Sequence, residues 1–107
     1  MTQEIIFAGF GGQGILFAGK VVAYAGMNEG KNVSHLPSYG PEMRGGTANC
    51  SVIVSDDEVA SPVITDPTSL VVVSGPSLDK FEQCVVKGGK IFIDSSLISR
   101  DVERSDV

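Results

Sequence analysis

Two glycine-rich segments hold the residues best suited to chemistry. The first, Gly9-Phe10-Gly11-Gly12-Gln13-Gly14, follows an apolar run that starts at Ile5. Gly9, Gly11 and Gly14 satisfy the Gly-x-Gly-x-x-Gly spacing of a strand-to-helix turn. In that pattern the first glycine permits the turn, the second lets backbone approach an anion, and the third lets the helix pack down. The N–H groups of the first helical turn have no partner inside a helix, so they would face a phosphate or carboxylate. The second segment, Ser38-Tyr39-Gly40-Pro41-Glu42-Met43-Arg44-Gly45-Gly46, sets Glu42 and Arg44 on a path fixed by glycine and proline. Arg44 offers a planar fork that suits carboxylate or phosphate, and Tyr39 adds a hydroxyl and a flat face. The segment reads as a recognition loop for an acidic ligand or a partner. A self-satisfied turn, with Glu42 paired to a nearby base, also fits, but would not require so many special residues.

Other chemistries find little support. A dinucleotide site places Asp or Glu about 20 residues beyond the first loop, to hold the ribose. That count lands near Ser34 and His35, where there is no acid and no Arg for a 2′-phosphate. A stand-alone NAD(P)-binding module is therefore an alternative with one element missing. A second alternative is a purely structural assembly domain, whose glycines serve packing and a subunit contact. His35 has no Cys, Asp or Glu at ligand spacing, so the expectation is a partly buried, hydrogen-bonded imidazole and no metal. Cys50 and Cys84 are isolated and read as two buried thiols. Alone they cannot hold an iron–sulfur cluster, which takes about four cysteines. Gly-x-Ser-x-Gly is absent, and Asp66, Asp79 and Asp94 are too far apart in sequence to be assigned as a catalytic pair.

The elements that position these loops follow from periodicity. Glu4-Ile5-Ile6-Phe7-Ala8 reads as a short buried strand. Ile15 to about Glu29 reads as a helix with a wide apolar stripe, apolar enough to be covered on more than one side. Ala18, Gly19, Ala23, Ala25 and Gly26 would let another element approach it closely, and Gly30 is a natural stop. Asn32–Leu36 forms a second strand ended by Pro37. Thr47–Val54 alternates, with Ala48, Cys50, Val52 and Val54 on one face. Leu70–Val73 is β-branched and buried. Ser74-Gly75-Pro76 then opens a helix with Pro76 in its first turn; Leu78, Phe81 and Val85 face inward and Gly88-Gly89 ends it. Lys90–Asp94 is the last strand, and Ser95–Val107 is a mostly polar tail. The fold class is α/β: a Rossmann-like three-layer domain, residues 1–107, with a mostly parallel sheet in which Thr47–Val54 is the candidate antiparallel strand.

The 107 residues carry a net charge of −5, with Lys and Arg scattered. This argues against nucleic-acid binding, which needs clustered bases. No apolar stretch reaches the roughly 20 residues of a membrane span, and no leader pattern is seen, so a cytoplasmic protein is expected.

Together, and in this order, the two loops resemble the gamma subunit, or gamma-like domain, of 2-oxoacid:ferredoxin oxidoreductases. The matching stretches are Gly9–Ile15, Ala18-Gly19-Lys20 and Pro37–Ala48, with Ser61-Pro62 where that family has a Ser-Pro. The second loop looks most like the 2-oxoglutarate branch, with the branched-chain branch close behind. The resemblance implies a complex that decarboxylates a 2-oxoacid on thiamine diphosphate, sends electrons through iron–sulfur clusters to ferredoxin, and passes the acyl group to coenzyme A. Thiamine diphosphate, its magnesium and the clusters would sit in partner subunits (alpha, beta and in some cases delta), and this chain would hold no cofactor alone. The ligand- or partner-facing residues would be Gly9, Gly11, Gly12, Gln13, Gly14, Tyr39, Glu42, Arg44, Gly45 and Gly46. Family members continue well past this length, so the chain is expected to be a fragment or a truncated subunit.

The missing ribose acid generates the first prediction. Titration with NAD(H) and NADP(H), followed by intrinsic fluorescence or calorimetry, is expected to show no saturable binding in the micromolar range. A micromolar Kd would instead establish a stand-alone dinucleotide module.

Overall fold

The computed structural model describes residues 2–10, 14–38, 47–59, 61 and 63–107. Strand β1 (Thr2–Phe10) leads to helix α1 (Ile15–Asn28), then to strands β2 (Asn32–Ser38), β3 (Thr47–Ser55) and β4 (Ser69–Val72). Helix α2 (Gly75–Phe81), a 3-10 turn (Glu82–Cys84) and strand β5 (Lys90–Ile93) follow. One sheet has the order β2-β3-β1-β4-β5. The β1·β4 and β4·β5 ladders are parallel, whereas β3 runs antiparallel to both β1 and β2. The α/β class therefore holds, and β3 is the antiparallel strand. Its direction follows from its hairpin-type connection to β2, since adjacent strands joined by a short link run antiparallel.

Alternation along the strands builds two cores. Phe7, Cys50 and Val52 face α1, joined by half-buried Ile5, Val33, Val54, Val71 and Val73. Ile6, Ala8, Leu70 and Val72 face the other way, against Leu78 of α2, Val85 and Ile98. Helix α1 buries Ile15, Gly19, Ala23 and Gly26. A Cβ at Gly19 would lie 2.2 Å from Cys50 Sγ, and one at Gly26 would lie 3.0 Å from Val33 Cγ2. These two glycines are what lets α1 settle onto β2 and β3. Gly30 ends α1 as expected: its φ is 79°, its N–H donates to Met27 O at 3.0 Å, and Lys31 N–H donates to Gly26 O at 3.0 Å.

Three boundaries differ from the sequence reading. β1 extends through Gly9 and Phe10, because β3 offers partners that far, with Gly9 opposite Ala48. β2 runs through Pro37 to Ser38; proline is tolerated there because β2 is the sheet edge. The second helix stops at Phe81 instead of continuing to Gly88-Gly89. The cause lies in the tail. Arg104 Nη1 donates at 3.1 Å to the Glu82 carbonyl, which a longer helix would have bonded to Val86 N–H, and at 2.5 Å to the Val85 carbonyl, while Val86 N–H donates instead to Pro67 O at 3.0 Å.

That tail is part of the fold. Ile98 is buried and Val102 and Val107 pack against the same core. Glu82, only 2% exposed, accepts hydrogen bonds from Arg100 Nη2 at 2.7 Å and from the N–H groups of Glu103 and Arg104 at 2.6 and 3.1 Å. Burial pushes the Glu82 carboxyl upward, but the hydrogen bonds from Arg100, Glu103 and Arg104 outweigh it and hold the carboxyl below the usual glutamate range.

A carboxyl lowered in the folded state contributes stability that is present above its unfolded value and lost as pH falls through the folded value. Denaturant unfolding at pH 7 should therefore show Glu82→Ala destabilised by on the order of 2 kcal/mol. The gap between variant and parent should narrow as pH is lowered below the carboxylate range; a pH-independent gap would contradict the charged network.

Candidate functional site

Strands β1, β2, β4 and β5 all end at one edge of the sheet, and β3 begins there. From β1 the chain moves through α1 toward the β2 side; from β4 it moves through α2 toward β5. The strand order thus reverses between β1 and β4. Open α/β sheets bind ligands outside the carboxyl ends of their strands at such a switch.

Both glycine-rich segments are anchored at this edge. Gly9 lies opposite Ala48 and Phe10 opposite Thr47, while Ser38 lies opposite Asn49. Where the first segment leaves β1 it is therefore one strand spacing, about 4.8 Å, from where the second segment enters β3. Segments separated by a whole helix and strand in sequence come to share one mouth. Gly11, Gly12 and Gln13 of the first segment, and Tyr39, Glu42, Arg44, Gly45 and Gly46 of the second, lie outside the described residues.

Gly14 is described, and its role differs from the one expected. It precedes α1 with a φ of 79°, and its carbonyl accepts from Ala18 N–H at 2.8 Å. Among the described residues nothing lies within 4 Å of the Cβ it lacks. Gly14 is required by backbone conformation, and the close packing assigned to it belongs to Gly19 and Gly26. Gly9 likewise is a ladder residue of β1, and not the turn itself.

Beneath the first turns of α1 lie Cys50 and His35. Cys50 is fully buried, and its thiol donates to Ile15 O at 3.8 Å. Burial pushes that thiol up to about 11, so it stays protonated and is no nucleophile. Cys84 is half-buried and free. His35 is half-buried, as expected, and its Nε2 has no hydrogen-bond partner among the described residues.

On the other side of the switch, Val73 N–H donates to Ala8 O at 3.0 Å and ties the end of β4 to β1. Ser74 caps α2: its Oγ accepts from Ser77 N–H at 3.3 Å and bonds Ser77 Oγ at 2.8 Å, both side chains buried. At the end of β5, Asp94 Oδ1 accepts from Ser96 Oγ at 2.6 Å and Ser96 N–H at 3.0 Å. The Ser96 hydroxyl, then its backbone N–H, hold the Asp94 carboxyl below its usual range. A cleft of about 410 Å³, lined by Val71, Val73, Phe92, Asp94 and Ser95 among others, opens between these strand ends. Sequence reading missed Ser77 and Ser96. The legible signals were a Ser before Gly-Pro and an Asp two residues before a Ser, both turn formers. Among the described residues no three His, Cys, Asp or Glu side chains converge to hold a metal, and no helix is long and apolar enough to cross a membrane.

Residues 4–106 match the family model described as pyruvate ferredoxin/flavodoxin oxidoreductase. The chain belongs to that family. It is 48% identical over 96 residues to the ketoisovalerate oxidoreductase subunit VorA of Methanothermobacter thermautotrophicus, covering 90% of this chain and 20% of that one. It is 37% identical over 102 residues to the 2-oxoglutarate synthase subunit KorC of Methanocaldococcus jannaschii, covering 94% and 54%. Among solved structures, the keto/oxoacid ferredoxin oxidoreductase gamma subunit of Geobacter sulfurreducens superposes with a TM-score of 0.81 at 35% identity, covering 94% of this chain and 54% of that one. The chain thus spans about half the length of the gamma and KorC relatives and a fifth of VorA.

The seat of α1 sets the position of Gly14 and of the segment before it, and this can be tested by compensation. Gly19→Ala drives a methyl into Cys50 Sγ and should cost about 1–3 kcal/mol, the usual range for overpacking. Cys50→Ala in the same chain removes that sulfur. The double variant should be more stable than the two single losses added together, as read by thermal or denaturant unfolding in a double-mutant cycle.

Proposed function

We propose that this chain works as the gamma-type component of a 2-oxoacid:ferredoxin oxidoreductase. In the reaction the carboxylate carbon of the 2-oxoacid leaves as CO2, the acyl group is transferred to the coenzyme A thiol, and the electron pair passes to ferredoxin. The observation that carries the reading is the joining of the two glycine-rich segments at the switch edge, in a chain of this family. Thiamine diphosphate, magnesium and iron–sulfur clusters supply the decarboxylation and electron transfer from the alpha, beta and delta partners. The part of this chain is recognition: backbone N–H groups of residues 11–14 and the Arg44 guanidinium face an anionic group, with the phosphates of coenzyme A as the first candidate. Neutral, deeply buried Cys50 suits a supporting subunit whose own thiols stay out of the redox path.

For the 2-oxoacid we propose 2-oxoglutarate. KorC relatives from Methanocaldococcus, Methanothermobacter and Archaeoglobus match over 94%, 92% and 90% of this chain, respectively, and about half of their own length. A branched-chain 2-oxoacid is the second reading, favoured by the 48% identity to VorA. Rates of the assembled complex with 2-oxoglutarate, 2-ketoisovalerate and pyruvate decide between them.

The recognition role is tested by Arg44→Ala in the assembled complex. Loss of a charge-assisted hydrogen bond of about 1.5–3 kcal/mol corresponds to roughly a ten- to hundred-fold fall in kcat/KM for coenzyme A. Unchanged kinetics with normal assembly would remove the ligand role. Dissociation of the complex would instead assign the loop to subunit contact alone.

A further inference from the structure

Helix α1 is held very differently at its two ends. At the C-terminal end, Glu29 N–H donates to Ala25 O at 3.1 Å. Gly30 N–H donates to Met27 O and Lys31 N–H to Gly26 O, both at 3.0 Å. The Cβ that Gly26 lacks would lie 3.0 Å from Val33 Cγ2 and 3.1 Å from Val54 Cγ1, so the helix sits hard against β2 and β3 there. Just beyond, Lys31 pairs with Asp56 past the end of β3, and Asn32 Nδ2 donates to Asp57 O at 2.9 Å. Directional bonds and close packing together pin this end.

The N-terminal end, at the mouth, is held loosely. Gly14 caps it with backbone alone: no side chain bonds the cap, and the first turn has no acidic residue. Ile15 is buried, but apolar contact is non-directional and tolerates small displacements. The thiol of Cys50 reaches Ile15 O at 3.8 Å, and sulfur is a weak donor. Under the next turn, His35 Nε2 comes within 3.6 Å of the Cβ that Gly19 lacks, beside Val52 Cγ2 at 3.4 Å. That nitrogen is buried without a hydrogen-bond partner among the described residues, in a core whose nearby members are Val33, Val52 and Val54. A buried polar atom left unpaired weakens the packing around it.

We propose that α1 is hinged at its C-terminal end, and that the unpaired nitrogen of His35 leaves its N-terminal half free to shift at the mouth. The shift serves the recognition role proposed above, on which the inference rests. It brings the unbonded N–H groups of the first helical turn onto an anionic group. The distance from Gly26 to Ile15 is about 16 Å along the helix axis. A tilt of roughly 5° about the pinned end therefore moves Ile15 by about 1.5 Å, within the 1–2 Å over which helices shift in switching proteins. Elements that move on ligand binding come from the less stable parts of a fold, and His35 sets that local stability. His35 is thus a positioning residue, which acts through α1 and touches no ligand.

The test is hydrogen exchange on the full chain in its assembled oxidoreductase complex, read residue by residue with mass spectrometry. Without coenzyme A, the N–H groups of residues 18–20, bonded at the start of α1, should exchange at least ten-fold faster than those of residues 26–28, bonded at its end. Equal rates would overturn the inference while leaving the proposed function standing. His35→Leu replaces the unpaired nitrogen with apolar atoms and should shrink that difference at least three-fold; His35→Gln, which keeps a polar atom there, should preserve it. His35→Leu should also raise the unfolding midpoint yet lower kcat/KM for coenzyme A at least three-fold, opposite movements that a merely structural residue does not give. An unchanged exchange difference, or stability and kcat/KM moving together, would overturn the inference. A wild-type complex that oxidises no 2-oxoacid with coenzyme A would sink the proposed function and the inference with it.

Discussion

The hydrogen-bonded position of β1 between β3 and β4 is the constraint on which the rest of the structure depends. On one side its whole length is zipped antiparallel to β3, from Thr2 to Phe10. On the other, Ile5 to Ala8 run parallel to β4. One strand therefore fixes both the mouth shared by the two glycine-rich segments and the switch beside it. The outer strands and both helices follow from that placement. β2 hangs on β3, β5 hangs on β4, and each helix covers the side chains that alternation sends to its face. A register slip of one residue in β1·β3 would exchange the two cores, sending Phe7 toward α2 and Ile6 toward α1.

The strands were legible because their evidence is local. Leu70–Val73 and Lys90–Asp94 fall within one residue of the observed β4 and β5, and the alternation of Thr47–Val54 marked the antiparallel strand. Gly30 announced the end of α1 because a left-handed residue leaves a direct mark in sequence. The end of α2 was not legible. It depends on Arg104, some twenty residues downstream, reaching the carbonyls of Glu82 and Val85, and no local signal at Glu82 shows that an arginine will arrive. For the same reason the tail read as polar: its apolar residues, Ile98, Val102 and Val107, are sparse, and their partners belong to other elements.

The glycines show the same division. Periodicity cannot tell a glycine chosen for backbone conformation from one chosen for closeness. Gly14 fits the motif as a packing residue, yet no described residue comes within 4 Å of the Cβ it lacks. Gly19 and Gly26 lie outside the motif and carry the contact. The pairing of the two loops is a sequence-level observation, but their meeting at one mouth is a property of the ladder, since α1 and β2 intervene. Recognition residues can be named from composition; the reason they act together is topological.

The same two glycines shape how the chain comes to fold. Glycine inside a helix costs about 1 kcal/mol relative to alanine, and α1 carries two at buried positions, with no acidic residue in its first turn and no basic residue in its last. Such a helix has little tendency to form by itself. It needs the sheet as a template, and the part of the sheet it needs is the pairing of β1 with β3, whose partners lie about forty residues apart in sequence at the mouth. Long-range pairing of that kind is slow because loop closure precedes its reward. The compactness that lets α1 sit so low on the strands is thus bought with a nucleus that is late and non-local, and α1 becomes a reporter of a formed sheet and not its initiator.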